Sequence, residues 1–103
     1  MKPDLSQLQV SEAALRDFCQ RWKLRELALF GSAVRADFGP SSDVDVMVTF
    51  RPDTGSTLWD LVQIQEELET LFGRRVDVLS RATIRNPFRK RSIERDLTVI
   101  YAA

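Results

Sequence analysis

The sequence predicts an α/β (α+β) architecture: a single small domain in which a mixed β-sheet packs against helices. Three observations carry this. Segments with apolar residues three and four apart alternate with short apolar runs, in the order α-β-β-α-β-α-β. The helical segment 57–72 stands between two of the strands, so it reads as a crossover and makes them parallel neighbours. The chain has 103 residues, of which 44% are apolar and 29% charged, enough for one core without disulfide staples. Residues 1–103 are therefore read as one domain.

Each element has a local reason. Residues 11–23 form a helix: Ser11 can cap it, Glu12 suits its first turn, and Leu15, Phe18, Cys19 and Trp22 make one apolar stripe. Glu26–Phe30 is a strand running into Gly31-Ser32. Val44–Phe50 is a second strand, with Val44, Val46 and Val48 on one face and Asp45, Met47 and Thr49 on the other. The stretch 51–56, with Pro52 and Gly55, is a loop. Thr57 and Asp60 then form a capping box for a helix to Phe72. Its expected core stripe is Leu58, Leu61, Val62, Leu68, Leu71 and Phe72, and Gly73 stops it. Arg75–Leu79 is a strand, residues 88–95 a helix following Asn86-Pro87, and Leu97–Tyr101 a last strand.

Composition narrows the chemistry. The sequence has no histidine, which removes His-based acid–base catalysis, the Ser-His-Asp and Cys-His systems and most zinc sites. Its one cysteine, Cys19, forms no internal disulfide and reads as a small buried hydrophobe. No apolar run approaches the ~20 residues of a membrane span, and no signal core opens the chain, so a cytoplasmic protein without a membrane partner is expected. Charge cancels overall but not along the chain: residues 1–73 carry seven basic and twelve acidic side chains, residues 74–103 eight and three. The basic segment 81–95 is either a solvated helix face or a contact for phosphate or an acidic partner. Few aromatics are interleaved with it, so no direct nucleic-acid binding is expected.

One constellation stands out. Asp43 and Asp45 sit two apart at the start of an apolar strand, on one face and roughly 6–7 Å apart. Asp77 lies within the next apolar strand. Carboxylates buried together would repel, and a hard divalent cation with oxygen ligands would remove that cost. Three of them can hold two Mg²⁺ ions, the arrangement for in-line phosphoryl or nucleotidyl displacement. Upstream, Gly31 allows close backbone approach to a phosphate, Ser32 offers a hydroxyl and an amide, and Arg35 can grip phosphate oxygens bidentately. Taken singly, each is ordinary: a turn, a wet strand edge, a surface charge. Their combination in this order is specific.

The stretch F-G-S-A-V-R-A-D-F-G-P-S-S-D-V-D-V-M-V resembles the nucleotidyltransferase motif of the DNA-polymerase-β-like superfamily. It is most similar to the minimal nucleotidyltransferases, the small MNT proteins of bacteria and archaea. The later L-x-x-L-V-x-I-Q-E-E-L-E-x-L-F-G-R-R-V-D-V-L fits the same family, so the resemblance runs from about residue 11 to the end. It implies a nucleotidyltransferase fold. It implies that Gly31 and Ser32 hold nucleotide phosphates, that Asp43 and Asp45 bind Mg²⁺, and that Asp77 completes the triad and helps activate the acceptor hydroxyl. The family often has glycine after the motif's arginine, where this sequence has Ala36.

Larger relatives add a helical domain for the acceptor, and at 103 residues this chain is expected to rely on a partner protein instead. Proteins it resembles are antitoxins of HEPN–MNT pairs, which move AMP from ATP to a tyrosine of the HEPN ribonuclease toxin. The resemblance therefore implies a type VII-like antitoxin, with ATP as substrate and a HEPN toxin as partner. Two alternatives remain open: an antitoxin that acts by stoichiometric contact with a vestigial nucleotide site, and a small-molecule nucleotidyltransferase built from two or more copies.

Overall fold

In the computed structural model, residues 10–31, 43–52, 54, 55, 57–81 and 86–102 are described, without the side chains of Arg89 and Asp96. The elements are α1 (Glu12–Arg21), β1 (Leu24–Phe30), β2 (Val44–Phe50), α2 (Leu58–Phe72), β3 (Val76–Ser80), α3 (Pro87–Asp96) and β4 (Thr98–Ala102). This is the order expected from the sequence, and the boundaries shift by a residue or two.

The caps act as their residue types dictate. Ser11 Oγ accepts from the Ala14 N–H at 3.1 Å. Thr57 and Asp60 satisfy each other's backbone N–H groups at the start of α2. Gly73 ends α2 in the left-handed region (φ 69°), its N–H donating to the Glu69 carbonyl. At the end of α1 the left-handed position is taken by Lys23 (φ 57°), a conformation that favours glycine.

The sheet has four strands in the order β3-β2-β1-β4. β1 is antiparallel to both β2 and β4, and β2 runs parallel to β3. The crossover through α2 thus makes the parallel pair that its length predicts.

One sheet face carries the main core. Leu27 and Leu29 of β1, Val44, Val46 and Val48 of β2, and Val76 of β3 meet Leu15, Phe18 and Cys19 of α1 and Ile64, Leu68 and Phe72 of α2. The stripe expected on α2 is corrected here. Ile64 is fully buried, whereas Leu58 is 78% and Val62 46% exposed, because the helix crosses the sheet with its Ile64–Leu68–Phe72 edge inward. Leu61 and Leu71 flank that edge, partly buried. α1 and α2 are also clamped at the rim: Glu67 accepts from the Trp22 indole N–H at 2.7 Å and pairs with Arg21.

The opposite face is thinly covered. Phe30, Met47 and Ile93 of α3 form a small second cluster, with Leu79 and Leu97 against it. The half-exposed Arg81–Glu26 pair, 3.0 Å apart, adds no more than about 1 kcal/mol. Among the described residues no helix is long and apolar enough to cross a membrane.

Candidate active site at one end of the sheet

The topology gathers the candidate residues. β1 ends at Phe30, β2 begins at Val44 antiparallel to it, and β3 begins at Val76 parallel to β2. All three termini therefore lie at one end of the sheet. Register does the rest: Phe30 is opposite Asp45, and Asp45 is opposite Asp77. Paired positions point to the same face, and adjacent strands lie about 4.8 Å apart. Asp43 is two positions before Asp45, hence on that face too. The Val44 N–H donates to the Arg75 carbonyl at 2.9 Å, locking the two strand starts together. The face is the thinly covered one, since Phe30 and Met47 flank Asp45 on it.

Burial corrects part of the sequence reading. Asp43 and Asp77 are exposed and Asp45 is half-buried, so the carboxylates are not sealed in a dry core. What remains is proximity. Two unscreened carboxylates at a strand spacing repel by roughly 1 kcal/mol in water, and more where the sheet excludes solvent. Among the described residues, no three His, Cys, Asp or Glu side chains close around one point as a ready-made cage. Asp45 and Asp77 form an adjacent pair with Asp43 one step along, an acidic rim rather than an enclosure. The donor set is all oxygen, which suits a hard cation such as Mg²⁺.

Gly31 has a reason beyond access to a ligand. Its φ is 66°, and a Cβ there would come within 3.0 Å of Asp45 Oδ2 and to 3.3 Å of its Cγ. The strand end thus turns left-handed directly against the Asp45 carboxylate, and a side chain at 31 would displace it. Ser32 and Arg35 lie outside the described residues.

A contribution the sequence reading missed comes from Glu69. Its carboxylate accepts from the Val76 N–H at 3.1 Å, one residue before Asp77. β3 is an edge strand, and Arg75 points its carbonyl at β2, so the next N–H faces the open side. Glu69 closes that side and fixes the start of β3. The available signal was its position: a carboxylate in the last turn of a helix opposes the macrodipole and calls for another partner. Cys19 plays no part in this site; it is buried on the other face, where desolvation pushes its thiol up to about 12.

The mixed sheet thus brings a left-handed glycine and strand carboxylates to one end. Residues 11–100 match the nucleotidyltransferase domain family, and the chain belongs to that family. Relatives make the kinship more particular. A Methanocaldococcus jannaschii protein, provisionally named a protein adenylyltransferase, is 35% identical over 80 residues, covering 78% of this chain and 80% of its own length. The protein adenylyltransferase MntA of Thermococcus cleftensis is 32% identical over 75 residues, covering 73% of this chain and 74% of its own. A solved structure provisionally described as a minimal nucleotidyltransferase superposes with a TM-score of 0.73 at 30% identity, covering 92% of this chain and 94% of that one.

The fold also recurs, at 14% identity, in two toxin–antitoxin structures. One is a complex with AMP-PNP (TM-score 0.74, covering 91% of this chain and 75% of that one). The other is a tri-AMPylated Shewanella oneidensis HEPN toxin with an MNT antitoxin (TM-score 0.65, covering 89% and 70%).

Proposed function

We propose that this chain is an Mg²⁺-dependent protein adenylyltransferase of the cytoplasm, an antitoxin that transfers AMP from ATP to a tyrosine of a cognate HEPN ribonuclease toxin. The observation that carries the reading is the register: Asp45 is paired with Asp77 across parallel strands, beside the turn at Gly31. Kinship with proteins named protein adenylyltransferases supports a protein as the acceptor.

In this reading Asp43, Asp45 and Asp77 hold Mg²⁺, two ions in all, and Gly31, Ser32 and Arg35 hold the nucleotide phosphates. The bound ions would neutralise charge on the triphosphate and on the departing pyrophosphate. The tyrosine oxygen forms the new bond to the α-phosphorus as the α–β phosphoanhydride bond breaks and pyrophosphate leaves. Asp77, on the edge strand, takes the proton of the incoming phenol. AMP on the toxin adds bulk and negative charge where RNA phosphates must bind. No contact with nucleic acid by the antitoxin itself is required.

The test mixes the protein with its cognate HEPN toxin, Mg²⁺ and ATP, and follows the toxin's intact mass. AMP adducts that disappear with Asp43→Asn or Asp45→Asn are the expected result. Full neutralisation of the ribonuclease by those variants, with no adduct, would replace the enzyme by a contact inhibitor with a vestigial nucleotide site.

A further inference from the structure

The two sheet faces are covered unequally, and α3 is the one described helix on the candidate-site face. Of its described side chains only Ile93 is buried, at 6% exposure. Ile93 packs on Phe30 and Met47, and Phe30 is the register partner of Asp45. Among its described side chains, Ile93 alone anchors the helix beside the carboxylates, and the others face solvent.

Its outward side has a definite composition. Phe88, Arg91 and Arg95 follow the i, i+3, i+7 spacing that makes one stripe, and that stripe lies opposite Ile93. Phe88 is 81% exposed, more than any other large apolar side chain among the described residues. An aromatic side chain with arginines is the combination enriched at protein–protein interfaces, where lysine and glutamate are depleted. Guanidinium groups also grip carboxylates bidentately. The other exposed apolar group, Leu58, Trp59 and Val62, sits at the start of α2, past the far end of β2 from Asp45, and has no continuity with the site.

We infer that the outward stripe of α3, formed by Phe88, Arg91 and Arg95, is the docking surface for the protein that accepts the nucleotidyl group. Its occupant is an acidic protein surface with an apolar pocket for Phe88. The assignment rests on the proposed transfer to a protein. A macromolecule that reaches Asp45 and Asp77 passes over this face, and α3 is what it meets there. The two arginines steer and orient it, and Phe88 supplies apolar burial. RNA is the less favoured occupant, because a nucleic-acid platform interleaves several aromatics with its basic residues, and α3 offers one aromatic with Glu94 exposed nearby.

The experiment compares the wild-type protein with Phe88→Ala, Arg91→Glu, Arg95→Glu and the triple variant, using the cognate HEPN toxin as acceptor. Circular dichroism confirms that each variant folds, as expected for exposed positions. The triple variant should raise KM for the toxin at least tenfold. Its kcat at saturating toxin should stay within twofold, and its affinity for ATP with Mg²⁺ should not change. An unchanged KM for the toxin, with the wild type active, overturns the docking surface. So does a triple variant that loses binding to poly(U) RNA while its KM for the toxin stays the same. If the wild type transfers nothing to the toxin, the proposed activity fails at that step, before any variant is compared, and the docking surface falls with it.

Discussion

Replacing Gly31 by alanine tests whether the strand end and Asp45 are built against each other. Two costs follow from the geometry. A non-glycine residue held at φ 66° loses about 1–2 kcal/mol. The new Cβ also falls within 3.0 Å of Asp45 Oδ2, so the carboxylate must give way by about 1 Å or the backbone must move. Overpacking of this kind costs about 1–3 kcal/mol. Together Gly31→Ala should lose about 2–5 kcal/mol, a large share of the roughly 5–15 kcal/mol that holds such a domain folded. Thermal unfolding should then drop by roughly 10 °C or more.

Urea unfolding followed by circular dichroism measures this, in four proteins: wild type, Gly31→Ala, Asp45→Ala and the double variant. With the carboxylate gone the clash disappears, and the alanine should cost only its backbone share. The coupling between the two sites should be about 1–3 kcal/mol. Equal penalties for Gly31→Ala in both backgrounds would refute the contact and leave only a backbone requirement.

Three further outcomes can be measured. Glu69→Ala should cost about 1 kcal/mol and speed hydrogen exchange at the Val76 amide, whereas Glu69→Gln keeps an acceptor there and should stay near wild type in both. Lys23→Gly should stabilise by about 0.5–1 kcal/mol in the same urea assay, since the left-handed strain exceeds the added freedom of the unfolded chain. Cys19 keeps its proton in the folded state up to about pH 12, while the unfolded thiol releases it near 9.0. The unfolded state thus binds fewer protons between these values. The contribution of Cys19 is complete below pH 9 and falls by at most about 1.4 kcal/mol per pH unit above it. The stability difference between wild type and Cys19→Ala should shrink over that range, and a flat difference would contradict it.

What the sequence made legible is local or set by period. Ser11, the Thr57–Asp60 box and Gly73 depend only on neighbours within a turn, and each caps as its residue type requires. The alternation in Val44–Phe50 placed its valines and Asp45 on opposite faces, because a strand has period two whatever lies around it. The crossover fixed β3 beside β2, and with it the meeting of Asp45 and Asp77. The misreading on α2 has a different origin. Apolar residues ring much of that helix, and the choice of Ile64 over Leu58 and Val62 depends on where α2 crosses the sheet. Likewise, the exposure of Asp43 and Asp77 depends on how little α3 covers, which no pattern within β2 or β3 records. Glu69 acts on a residue in another element, so its role needed the turn through Gly73 to be in place.

The pairing of β1 with β4 has a kinetic consequence. Glu26 lies opposite Ala102, so a central strand from the first third of the chain is completed by its last described strand. During synthesis, β1 waits with one open edge until β4, more than 65 residues on, has left the ribosome. A contact of that span carries a large loop-closure entropy and forms late. Phe30 and Gly31 sit at the tip of this same strand, so the candidate-site end of the sheet cannot be fully settled while β4 is missing. A nascent chain, or one clipped before β4, should be recognised by proteases as unfinished.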